Sequence, residues 1–143
     1  MKIAIGSDHG GYELRGIIMK HLEERGFEYE DLGCYNTDSC DYPDYGIAVG
    51  NKVASGECDC GIAICGSGNG ISMTLNKHQG VRAALCWTPE LGALAKQHNN
   101  ANVLSLPGRF ISLETAQEIV KAYFAAEFEG GRHQRRVEKI PCK

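Results

Sequence analysis

The amino-acid sequence predicts an α/β fold: a single doubly wound, Rossmann-like domain over residues 1–143, with a five-stranded parallel sheet and helices on both faces. Three observations predict it. Five short apolar runs alternate with stretches of helical period, the pattern of repeated strand–helix–strand units. The first run, Lys2–Gly6, is of the buried type, as in strands covered on both faces. No internal repeat, linker or second domain interrupts the alternation. Right-handed crossovers leave few topologies, and the order 2-1-3-4-5 is expected.

Taken in order, Lys2–Gly6 is a buried-type strand. Tyr12 to Arg25 carries Leu14, Ile17, Ile18 and Leu22 on one helical face, with Gly26 as its C-terminal cap. Phe27–Leu32 is the second strand. Pro43 suits a first helical position, and that helix runs to about Ser55 before Gly56. Gly61–Cys65 is the third strand, followed by Gly66-Ser67-Gly68-Asn69-Gly70 and a short helix toward Lys77. Val81–Cys86 is the fourth. Thr88-Pro89-Glu90 opens a helix with an N-cap hydroxyl, a proline and an acid near the positive helix end. Asn102–Leu106 is the fifth strand. The helix from Leu113 to Ala126 is expected to bury Leu113, Ala116, Val120 and Phe124, and a basic tail (residues 129–143) follows Gly130-Gly131.

Composition narrows the function. A net charge of -3 provides no global field for nucleic acid or an anionic membrane, so neither is an expected partner. No apolar run approaches bilayer-spanning length. The seven cysteines are odd in number, and Met1–Ile5 enters a strand without a signal peptide, so reduced thiols and a cytoplasmic location are expected. Cys58-Asp59-Cys60 lacks a second pair at zinc spacing, and no metal is expected. Cys34, Cys86 and Cys142 are read as buried, inert thiols.

The chemistry is expected beyond the carboxyl ends of strands 1 and 3, at the switch point of the sheet. Two unusual loops meet there, Gly6-Ser7-Asp8-His9-Gly10-Gly11 and Cys65-Gly66-Ser67-Gly68-Asn69-Gly70. Glycines at alternate positions let the amides of Gly66, Ser67, Gly68, Asn69 and Gly70 turn toward one anion. The loop is not a dinucleotide fingerprint: its spacing is wrong, and the strand after it ends without an acid. Cys65 stands at the loop entry, beside the N-terminus of the helix that follows. A phosphatase loop would require arginine where Ile71 stands. A thiolate at Cys65 is therefore placed to take a carbon-bound proton while the loop holds the resulting enediolate. Asp8-His9 is a second candidate pair. His98 precedes its strand, which puts it at the opposite end of the sheet; a catalytic His98 must reach a neighbouring subunit's crevice. That inference predicts a homodimer, or a tetramer, with active sites shared between subunits.

These segments, with Asp41-Tyr42-Pro43, Asn76-Lys77, His98-Asn99-Asn100-Ala101-Asn102 and Glu129-Gly130-Gly131-Arg132-His133-Gln134, resemble type B ribose-5-phosphate isomerases in order and spacing almost end to end. That family also holds galactose-6-phosphate isomerase subunits. The resemblance implies a cofactor-free aldose–ketose isomerase of a phosphorylated sugar, working through a cis-enediol. By the same resemblance Cys65 is the base, and Ser67 assists proton transfer between oxygens. His98 with Asp8 opens the furanose ring. His9, Arg109, Arg132 and Arg136 clamp the phosphate, and Asn99 and Tyr42 position the sugar. Ser67 replaces a common threonine and Asn69 a usual aliphatic residue, which leaves the choice between five- and six-carbon sugars open. Trp87 is placed to shape the same pocket or to pack as a structural aromatic. A non-catalytic sugar-phosphate sensor would retain the arginines and glycine loop but would not need Cys65 and His98 together.

Overall fold

The computed structural model describes residues 1–142. Strand β1 (Lys2–Ser7) leads through a short 3-10 turn (His9–Gly11) into α1 (Tyr12–Glu24), then β2 (Glu28–Asp31) and α2 (Tyr42–Ala54). Strand β3 (Cys60–Cys65), α3 (Asn69–Leu75), β4 (Ala83–Leu85), α4 (Pro89–Asn99), β5 (Val103–Pro107), α5 (Leu113–Ala125) and α6 (Arg132–Val137) follow. All strand pairings are parallel. The fold class is the one the sequence predicts.

Strand order departs from expectation at one edge. The sheet runs β2-β1-β3-β5-β4, so the last two strands are exchanged relative to 2-1-3-4-5. Burial accounts for the exchange. All five residues of β5 are buried, as suits a strand paired on both sides, whereas β4 is a three-residue, half-buried edge. Arg82 fails to extend β4: its amide donates to Asn102 Oδ1 at 2.7 Å, and its guanidinium donates to the Asn100 carbonyl at 2.9–3.0 Å. The switch point between β1 and β3 is untouched.

The two faces of the sheet are built differently. On one, Ile3, Ile5, Ile62, Ile64, Leu104 and Leu106 meet buried residues of α1, α4 and α5. On the other, the smaller Ala4, Ala63 and Cys65 meet Val49 and Val53 of α2 and Ile71 and Leu75 of α3. The small residues allow α2 a close approach; a Cβ on Gly61 would lie 2.7 Å from Val49 Cγ1.

Two further expectations are corrected, and the course of the basic tail is defined. Helix α5 buries Ala116, Ile119, Val120 and Tyr123; Leu113 lies exposed at its first turn, and Phe124 packs half-buried on Phe27 with ring centroids 4.9 Å apart. The basic tail forms a helix of its own over Arg132–Val137. Gly130 and Gly131, at φ 69° and 58°, turn the chain into α6, which buries His133 and Val137. Cys34 and Cys86 are buried as expected, but Cys142 is exposed. Among the described residues no helix is long and apolar enough to cross a membrane.

Candidate active site

Cys65 ends β3 and is 4% exposed, packed with Ala63, Ile71 and Leu75 at the foot of the glycine loop. The Cys65 carbonyl accepts from Gly108 N–H at 2.9 Å, and the Gly66 carbonyl from Arg109 N–H at 3.0 Å. The loop after β5 is thereby fastened to the glycine loop. Gly68, at φ 77°, turns that loop into α3. The Ser67 hydroxyl accepts from Asn69 N–H at 3.2 Å, which leaves its own proton free to donate.

The β1 loop packs directly on this one. Asp8, almost fully buried, receives Gly10 N–H on Oδ1 at 2.9 Å, while its own amide donates to the Ile64 carbonyl at 3.1 Å. A Cβ on Gly10 would come within 3.1 Å of Gly66 N. His9 Nδ1 accepts from Cys40 N–H at 3.2 Å, so the ring proton sits on Nε2. A Cβ on Gly66 would meet the Arg109 side chain at 3.4 Å, and one on Gly70 would overlap the Tyr42 ring. Asp8, Tyr42, Cys65, the glycine loop and Arg109 thus converge at the carboxyl ends of β1, β3 and β5, with His9 beside Asp8. Next to them Ser67, Asn69, Leu85, Trp87, Pro107 and Phe110 line a cleft of about 330 Å³, so Trp87 does face this region.

His98, Asn99, Arg132 and Arg136 are not in this group. His98 and Asn99 occupy the last turn of α4, and both arginines lie on α6, which packs against α4. Asn99 lines a separate cavity of about 450 Å³ with Arg82, Ala83 and Ala101, at the amino ends of β4 and β5. The predicted opposite placement of His98 is what the fold gives. Its imidazole stacks on that of His133, with centroids 4.2 Å apart and planes within 10°. Glu129 Oε1 lies 3.7 Å from His98 Nε2 and 3.5 Å from His133 Nε2. Burial, followed by the proximity of His98, lowers the His133 pKa.

These three ligand atoms fall within 4.8 Å of one another, the spacing of a metal centre. The lone pairs of stacked rings, however, lie in two parallel planes and do not meet at one ion, as tetrahedral coordination demands. The grouping of Glu129 and His133 with His98 escaped sequence reasoning, because it depends on the turn at Gly130-Gly131 folding α6 back onto α4. The remaining thiols divide cleanly. Burial pushes Cys86 up to about 11 and Cys60 up to about 12, which leaves both inert at neutral pH.

The ribose/galactose isomerase family model matches residues 3–140. The chain belongs to this family. The isomerase is 49% identical to ribose-5-phosphate isomerase B of Escherichia coli, over 97% of this chain and 93% of that one. A ribose-5-phosphate isomerase B structure from Clostridium thermocellum superposes with a TM-score of 0.97 at 50% identity, covering 99% of this chain and 95% of the other. The enzyme from Mycoplasma genitalium, solved with bound ribulose-5-phosphate, superposes with a TM-score of 0.95 at 46% identity, covering 99% and 94%.

Proposed function

We propose that this isomerase interconverts ribose 5-phosphate and ribulose 5-phosphate through a cis-enediolate. The observation that carries the reading is Cys65 at the foot of the glycine loop, walled by the Asp8 loop and Arg109. The likeness to a relative that binds ribulose-5-phosphate supports it.

The Cys65 thiolate takes the proton from C2 of the open-chain aldose and returns it to C1. Negative charge passes to the enediolate oxygens, which the amides of Gly66 to Gly70 receive. The Asn69 amide is already shared with Ser67, so the other amides of the loop carry most of this load. Ser67 then gives its hydroxyl proton to O1 and takes the O2 proton in its place. A positioned base contributes about 10²–10⁴-fold, and each well-aimed oxyanion donor about 3–4 kcal/mol. His9, with its proton on the Nε2 side, and Arg109 hold the phosphate, and Tyr42 orients the sugar.

His98, Asn99, Arg132 and Arg136 enter the same site from a second copy of the chain. His98, with Asp8, opens the furanose; the two arginines close the phosphate clamp; Asn99 positions the sugar. Arginine suits that task because its planar fork matches a phosphate. The whole chain serves as one isomerase domain in a homodimer, which can pair further into a tetramer. The reaction needs no cofactor, because proton transfer and amide donors supply all of its steps.

Asn69 and Trp87 in the adjoining cleft favour a second reading, a six-carbon aldose phosphate such as allose or galactose 6-phosphate. Turnover of five- and six-carbon phosphates in the presence of EDTA separates the two. The proposal expects ribose 5-phosphate to give the higher kcat/KM, with EDTA without effect. Turnover confined to six-carbon phosphates would establish the second reading, and no turnover of either would return the chain to the sensor class.

A further inference from the structure

We propose that Glu129 is the positioning residue for His98, its carboxylate fixing the imidazole in the one orientation and tautomer that opens the sugar ring. The inference rests on the ring-opening role given to His98 above. It starts from how firmly Glu129 is held. Its amide donates to the Gln97 carbonyl at 3.0 Å, one residue before His98, so its backbone is tied to the turn that carries the histidine. The positive-φ glycines 130 and 131 follow immediately, and His133 N–H closes the turn on the Gly130 carbonyl at 3.1 Å.

The side chains repeat this arrangement. His133 lies flat against His98, and the Nε2 atoms of both rings face Glu129 Oε1. His133 is 7% exposed, and its buried Nε2 has no hydrogen-bond partner. Burial keeps this ring neutral, so it serves as a flat wall and leaves the carboxylate charge to His98. At 3.7 Å the contact is longer than a hydrogen bond, and it shortens in the substrate complex as catalytic hydrogen bonds do; His98 then carries its proton on Nε2 and presents the Nδ1 lone pair. Ring opening then balances with one proton: O1–H gives it to Nδ1, C1=O forms as the C1–O4 bond breaks, and the imidazolium delivers it to O4. A carboxylate behind a working histidine is a recurring way to fix tautomer and orientation.

The test uses the difference between the two sugars. Ribose 5-phosphate closes through O4, whereas ribulose 5-phosphate has its only ring-forming hydroxyl esterified and stays open. Deuterium uptake at C1 of ribulose 5-phosphate from D₂O therefore reads the Cys65 step alone, and ribose 5-phosphate turnover reads ring opening as well. Glu129→Ala and His98→Asn are compared with wild type. We expect E129A to slow ribose 5-phosphate turnover about 10–100-fold, in the range for residues that orient a working histidine, with deuterium uptake within about twofold of wild type. Equal losses in both assays, or no loss in either, would overturn the inference. Loss of ribose 5-phosphate turnover in H98N with none in E129A would overturn it alone. Full turnover in H98N would instead remove the ring-opening role of His98 on which it stands.

Discussion

His21 and His133 set how the fold responds to mild acid. Burial, helped by Arg25 at His21 and by His98 at His133, lowers both pKa values below the ordinary imidazole value near 6.5. Above that value both rings are neutral in the folded and unfolded chains and contribute no pH dependence. As pH falls through it, the unfolded chain takes up protons first, so stability is lost on acidification. The melting temperature is therefore expected to fall between pH 7 and pH 5, and to fall less in a His21→Gln, His133→Gln double variant. Unchanged slopes would place the acid sensitivity elsewhere. At this scale the sequence was most informative where chemistry sits at a strand end, since Asp8 and Cys65 each follow an apolar run into a glycine turn. It was least informative for Cys142 and Leu113. Their exposure depends on which neighbours arrive from distant segments, and periodicity alone cannot register that.

The elements meet at a spacing set by small residues. Gly61, Ala4 and Ala63 let α2 settle onto the sheet, and Val49 fills the space that a side chain at Gly61 would need. Gly61→Ala forces a methyl to within 2.7 Å of Val49 Cγ1, in a core with little room to yield. Overpacking of this kind costs about 1–3 kcal/mol. A thermal melt is expected to show a drop of several degrees, on the order of 3–4 °C per kcal/mol for a chain of this size. An unchanged melt would mean that α2 moves outward at no cost. The glycine run, the buried Leu14, Ile18 and Leu22 of α1 and the Thr88 cap of α4 were legible from the sequence. The exchange of β4 and β5 was not, because both read as short, mainly apolar runs. Their order follows from how completely each is covered, through contacts with α3, α4 and α5. Arg82, spent on the Asn100 carbonyl, is the one residue that marks β4 as a short edge.

At the scale of the whole molecule, the predicted set of functional residues divides between two ends of one chain. Asp8, His9, Tyr42, Cys65 to Gly70 and Arg109 gather at the carboxyl ends of the strands. His98, Asn99, Arg132 and Arg136 ride on α4 and α6 at the other side. The place of His98 was legible from its position before the fifth strand; that of Arg132 and Arg136 was not, because it depends on α6 folding back onto α4. The structure adds that His98 stacks on His133 beside Glu129, so a partner would deliver the three together. A symmetric dimer as proposed would place two equivalent sites across one interface, each completed by the other copy.

Complementation between Cys65→Ala and His98→Asn chains tests the central claim, a thiolate-driven isomerase whose site is shared between two copies, most directly. Each variant alone is expected to have lost ribose 5-phosphate turnover. Co-expressed or refolded together, half of the dimers would be hybrids with one of two sites intact, so activity should return to about a quarter of wild type. Turnover by Cys65→Ala alone would contradict the thiolate, and a mixture as inactive as its parents would contradict the shared site.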